Sequence, residues 1–120
     1  MPSGRIKRRV LIALRWTNPR MLRAIGQYAR EAGWHLETRP FFNETMPFRW
    51  RGEGLIVSNP QRDDLRAFIR RQAPLQPTVL IGGNRFGIRA AQVTEDDRRA
   101  GQLAARHFIE QGHRHFVWFT

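Results

Sequence analysis

Apolar residues in this chain fall into short runs and helical stripes that alternate along its length. Residues 10–14 are five consecutive apolar positions, the pattern of a strand covered on both faces. Asn18 and Pro19 then supply a helix cap and a first-turn proline. Met21, Leu22, Ile25, Tyr28, Ala29 and Ala32 follow at helical spacing up to Gly33. Trp34, Leu36 and Thr38 alternate with His35, Glu37 and Arg39, which predicts a second strand with one polar face, near a sheet edge and ended by Pro40. Residues 41–51 have no clear period, with Pro47 among aromatics, and leave room for one helical turn.

The same alternation continues. Gly54 to Val57 reads as a third strand, and Ser58-Asn59-Pro60 as a turn. Asp63 is a candidate cap for a helix traced by Leu65, Phe68, Ile69 and Gln72, whose basic face of Arg62, Arg66 and Arg70 is expected to be solvated. Ala73-Pro74 stops that helix, residues 78–81 form a fourth strand, and residues 91–94 a short extended piece. The stretch 93–120 reads as strand end, helix, glycine stop and strand. Asp96 or Asp97 is placed to accept from the first-turn amides, and Gly112 suits a left-handed residue after the last turn. Ala100, Leu103, Ala104, His107 and Phe108 share one face. That face is expected to pack on the sheet, with His107 a satisfied core residue and residues 116–120 a further strand.

Strands alternating with helices at this spacing imply right-handed crossovers, hence an α/β fold with a parallel sheet flanked by helices. Ligands of such sheets gather beyond the carboxyl ends of the strands. That rule puts Arg15, Trp16, Thr17, Asn18, Ser58, Asn59, Gly83, Asn84 and Arg85 on one rim. Trp16 either stacks on the apolar face of a sugar, while Asn and Arg side chains meet hydroxyls, or packs against Phe86 or a neighbouring domain. The candidate ligand-binding residues are therefore Arg15, Trp16, Asn18, Asn59 and Asn84.

Composition narrows the partners. At 120 residues the chain is one domain or part of one, and with no cysteine it has neither disulfides nor thiolate metal ligands. Lys and Arg total 21 against 10 acidic residues, and all but one of the 21 are arginine. Apart from a basic leader at residues 1–8 and the adjoining Arg9, these charges are scattered as singles and pairs. A nucleic-acid interface would present a patch, so scattered charge argues against direct binding by this segment. The apolar run after the leader is too short for a signal peptide, and nothing approaches the ~20 apolar residues of a membrane span. A cytoplasmic location and no membrane partner are expected.

Catalytic signatures are missing. His35, His107, His113 and His115 form no helical metal-binding pair, so no metal site is expected. Gly82-Gly83-Asn84-Arg85 lacks the spacing of a phosphate loop and reads as a turn. Asp96 and Asp97 are accounted for by helix capping and the macrodipole. No enzymatic activity and no cofactor are expected.

Certain words of the sequence go beyond periodicity. Asp96, then a helix holding His107, then Gly112-His113-Arg114 leading into an aromatic strand resembles the sugar-responsive repressors of the LacI/GalR type and their periplasmic-binding-protein-like relatives. Trp50-Arg51-Gly52-Glu53-Gly54-Leu55-Ile56-Val57 is similar to the Trp-x-Gly-Asp-Gly-Val/Ile-Ile stretch of xylose operon regulators, which carry a carboxyl-terminal AraC-type helix-turn-helix domain. The resemblance implies that residues 9–120 are the amino-terminal lobe of a type I periplasmic-binding-protein-like sensing domain, truncated before its second lobe and its helix-turn-helix. It implies an effector-sensing role in a transcriptional regulator, a sugar effector, DNA contacts through a domain outside this chain, and a homodimer at full length. The chain departs from the family pattern after the third strand, where Ser58 and Asn59 stand in place of an acidic residue. Two alternatives remain: a solute-binding protein of a sugar transporter, and a small α/β nucleotide-binding domain.

Overall fold

The computed structural model describes residues 7–15, 18–39 and 49–119. The strands are β1 (Arg8–Ala13), β2 (Trp34–Glu37), β3 (Gly54–Val57), β4 (Thr78–Ile81) and β5 (Ala91–Val93). The helices are α1 (Pro19–Ala32), α2 (Asp63–Gln72), which runs into a 3-10 turn at Ala73–Leu75, and α3 (Asp97–Glu110). All five strands are parallel and lie in the order β2-β1-β3-β4-β5. The chain thus moves one way from β1 to β2 and the opposite way from β3 to β5. With right-handed crossovers, this reversal puts α1 and α2 on opposite faces of the sheet.

The apolar run at β1 fills the centre. Leu11 and Ala13 join Leu55, Val57, Leu80, Leu65, Phe68 and Ile69 in the core under α2. Val10, Ile12 and Leu14 alternate with them and are also buried, as the expectation of a strand covered on both faces requires. The Asn18 side chain caps α1 by accepting from the amides of Arg20 and Met21, Pro19 takes the first helical position, and Gly33 closes the helix at φ 73°. Strand β2 lies at the sheet edge, as its alternation predicts. Its last residue, Glu37, is nonetheless buried, and Arg39 grips the carboxylate through Nε at 2.8 Å and Nη2 at 2.9 Å.

The stretch leading into β3 is built around a close approach. Trp50 is buried and donates from Nε1 to Gln76 Oε1 at 3.1 Å, while the Arg9 guanidinium lies 5.3 Å from its ring centre. A Cβ on Gly52 would fall 2.2 Å from that ring and 2.7 Å from the Arg9 carbonyl oxygen, so only glycine fits. The Glu53 amide donates to that same carbonyl and its carboxylate accepts from the Arg9 amide, tying the entrance of β3 to β1.

Four expectations are corrected. Asp63 is the first residue of α2, not its cap; Arg62 holds the cap position without a side-chain cap bond, and Asp63 and Asp64 act on the helix dipole from inside the first turn. Arg66 and Arg70 are not merely solvated: Arg66 bonds Asn59, Pro60 and Asp63, and Arg70 donates to the Phe86 carbonyl. Helix α3 forms as predicted, with Asp96 as its cap and Gly112 at φ 87° beyond its end, but none of its residues is buried and His107 lies in solvent. Residues 113–119 form no strand and are exposed, up to 87% at Phe119. A helical stripe states that a face is apolar, and it does not state what covers it. The residues forming the possible helical turn after β2 and most of the basic leader lie outside the described residues.

Candidate ligand-binding rim

Strands β1 and β3 end side by side, and their ends are laced together. The Ser58 amide donates to the Ala13 carbonyl at 3.0 Å, and the Arg15 amide donates to Ser58 Oγ at 2.6 Å. At the end of β4, the Gly82 amide donates to the Val93 carbonyl at 2.9 Å and Gln92 Nε2 donates to the Gly82 carbonyl at 2.7 Å, which fixes the neighbouring end of β5. Gly82 has φ 105°, a backbone conformation open to glycine, and this turns the chain sharply away from the sheet.

Two clefts meet at this turn and share Ile81, Gly82 and Gly83. The smaller, about 160 Å3, lies over β1, β3 and β4 and is lined by Arg15, Ser58, Asn59, Gly83 and Asn84. The larger, about 360 Å3, lies over β4 and β5, and Asn18, Met21, Val93, Thr94, Glu95 and Asp97 line it. Four of the five candidate residues are thereby placed on one rim, three in the first cleft and Asn18 in the second. Trp16, the fifth, lies outside the described residues together with Thr17. Arg85 lines neither cleft; its guanidinium turns back to the Ala90 carbonyl at 3.4 Å.

Local bonds fix how each asparagine faces the rim. Asn18 Oδ1 accepts from two helix amides, Asn59 Oδ1 accepts from Arg66 Nε at 3.1 Å, and Asn84 Oδ1 accepts from the Phe86 amide at 3.0 Å. Every one of these partners is a pure donor, so no flipped amide satisfies them and each side chain must turn its oxygen inward. The three amide nitrogens have no partner among the described residues. The loop that carries Asn84 is itself braced, because Phe86 is buried at the unusual φ of 33° while Arg70 Nε holds its carbonyl at 2.8 Å.

Met21, Thr94, Glu95 and Asp97 are not among the residues the sequence marks as ligand-binding, Met21 and Asp97 being read there only as parts of helices. The signal for Thr94 and Glu95 was available: the rule that places ligands beyond strand ends applies to β5 as well as to β1, β3 and β4. Asp97 is free for the cleft because Asp96 takes the capping role, accepting from the Arg99 amide at 2.9 Å. Among the described residues no three His, Asp or Glu side chains converge to hold a metal ion, no helix is long and apolar enough to cross a membrane, and no histidine lines either cleft. The arrangement is equipped to hold a small polar molecule by hydrogen bonds along one wall and apolar contact with Met21, Ile81 and Val93 along the other. Compared with family models, with curated proteins and with solved structures, the chain has no match.

Proposed function

We propose that this chain is the amino-terminal lobe of the effector-sensing module of a transcriptional regulator, of the periplasmic-binding-protein-like type and closest to xylose operon regulators. Its effector is a sugar held at the rim by Arg15, Trp16, Asn18, Asn59 and Asn84. The observation that carries the reading is the gathering of Arg15, Asn59 and Asn84 about one cleft at the point where strand order reverses. Support comes also from α3 and residues 113–119. Leu103, Phe108, Ile109, Phe116, Val117, Trp118 and Phe119 are all exposed, and apolar side chains gathered in this number on one helix and its tail fit a segment that further protein covers.

In this reading the exposed face of α3 and the tail is covered by a second lobe of the sensing module. Ligand at the rim stabilises the closed arrangement of the two lobes, and the shift passes through a homodimer to a helix-turn-helix domain that binds DNA. The module binds and releases its effector without turning it over, and it works in the cytoplasm. A solute-binding protein of a transporter would use the same architecture outside the cytoplasm.

The reading frame beyond Thr120 tests this directly. A second α/β lobe followed by a helix-turn-helix is expected there, and a frame holding neither would overturn the proposal.

A further inference from the structure

We infer that the effector carries an anionic group, as a sugar phosphate or a sugar acid does, and that this group sits in the smaller cleft between the ends of β1, β3 and β4. The inference deepens the sugar-sensing reading and rests on it. Its ground is the polarity of the two clefts.

In the smaller cleft the side-chain groups left wholly without a partner are donors. The Asn59 and Asn84 amide oxygens are turned toward Arg66 Nε and the Phe86 amide, from which each accepts one bond, and their NH2 groups are left without a partner among the described residues. Ser58 Oγ already accepts from the Arg15 amide and has its own proton to give. The Arg15 guanidinium has neither a carboxylate nor a hydrogen-bond partner among the described residues, and no carboxylate lines the cleft. Neutral hydroxyls both donate and accept, so a wall of donors around an uncompensated guanidinium matches them poorly. An oxyanion accepts from every one of these groups, and its bonds to them are charge-assisted.

The larger cleft has the opposite character. Glu95 and Asp97 line it, together with the Asn18 amide and an apolar wall. Carboxylates accept from sugar hydroxyls and repel an anion. A ligand with hydroxyls at one end and negative charge at the other therefore has one orientation across the Gly82-Gly83 turn, hydroxyls over β5 and anion over β3.

The test is a nitrogen-15 NMR titration of the 120-residue chain with ribose 5-phosphate, glucose 6-phosphate and glucuronate. Ribose, glucose, adenosine monophosphate and inorganic phosphate serve as comparison arms. Expected is movement of the Asn59 and Asn84 side-chain signals and of Arg15 Nε with at least one anionic sugar, fading as sodium chloride rises, with inorganic phosphate moving the same signals more weakly. R15Q should weaken that binding roughly tenfold. R71Q, which removes the same charge from the exposed face of α2, should leave it unchanged. Neutral sugars binding as tightly as anionic ones, or indifference to R15Q, would overturn the anionic assignment and leave sugar sensing in place. Adenosine monophosphate binding with no response to any sugar derivative would overturn both readings. Silence in every arm would overturn this inference.

Discussion

Gly52 carries a heavier structural load than any catalytic motif would suggest. Its missing side chain is the space that the Trp50 ring and the Arg9 carbonyl occupy, so the Trp-Arg-Gly-Glu-Gly run is a fastening between β1 and β3. Gly52→Ala must displace a buried indole or a strand carbonyl, and overpacking of that kind costs roughly 1–3 kcal/mol, measurable by urea unfolding. Glu37 offers a second check at this scale. Its hydrogen bonds to Arg39 hold its carboxyl at about 2, below the ordinary 4.5, although burial pulls the other way. A lowered native pKa means that the unfolded chain binds more protons between these values. Stability from this pair is therefore complete above about pH 4.5 and is lost as pH falls toward 2. Glu37→Gln should flatten the pH dependence of unfolding in that window; an unchanged slope would show that the pair contributes nothing. The sequence marked Glu37 only as a member of a polar face, because alternation reports direction and not the partner waiting there.

The elements divide into those that pack and those that do not. Strands β3 and β4 and helix α1 lie at the predicted positions, since each is bounded by residues with one local meaning: Asn18-Pro19 at a start, Gly33 at a stop, Ser58-Asn59-Pro60 after a strand. Helix α3 was equally legible as a helix, with its Asp96 cap and Gly112 stop. Its packing was not legible, because periodicity is a local property and coverage is a tertiary one. The aromatic and β-branched tail after it has strand propensity, but propensity of that kind is realised only against neighbouring strands. Leu103→Ala and Phe108→Ala in this chain should each change global stability by less than about 0.5 kcal/mol. Leu55→Ala, in the core between β1 and β4, should cost about 2–5 kcal/mol. Amide exchange would show the same division, with residues 97–110 exchanging well before β1 and β3. A large loss from Phe108→Ala would show that α3 is packed after all.

At the scale of the whole molecule, the sheet and its two flanking helices form the compact part, and α3 with its tail extends the chain. The radius of gyration is 18.4 Å, against roughly 13 Å for a compact chain of about 100 residues. The positions of Arg15, Asn59 and Asn84 around one cleft were legible in the sequence, because one rule about parallel sheets points to strand ends without any knowledge of packing. The chemistry of the rim was not, since the orientation of each asparagine depends on Arg66, Phe86 and the first turn of α1. A rim of oriented donors and, apart from it, exposed apolar side chains on α3 and the tail are the two features on which the proposed sensing role rests.

The measurement that tests this account most directly is a thermal-shift panel of pentoses, hexoses and their phosphates on the gene product that contains this chain, with the 120-residue chain in parallel. If the proposed two-lobed sensor is right, sugar at 100 times its dissociation constant should stabilise the full-length protein by about 2.7 kcal/mol and the 120-residue chain, which offers only one side of the cleft, by less. No shift with any sugar, alongside a clear shift with nucleotides, would contradict it.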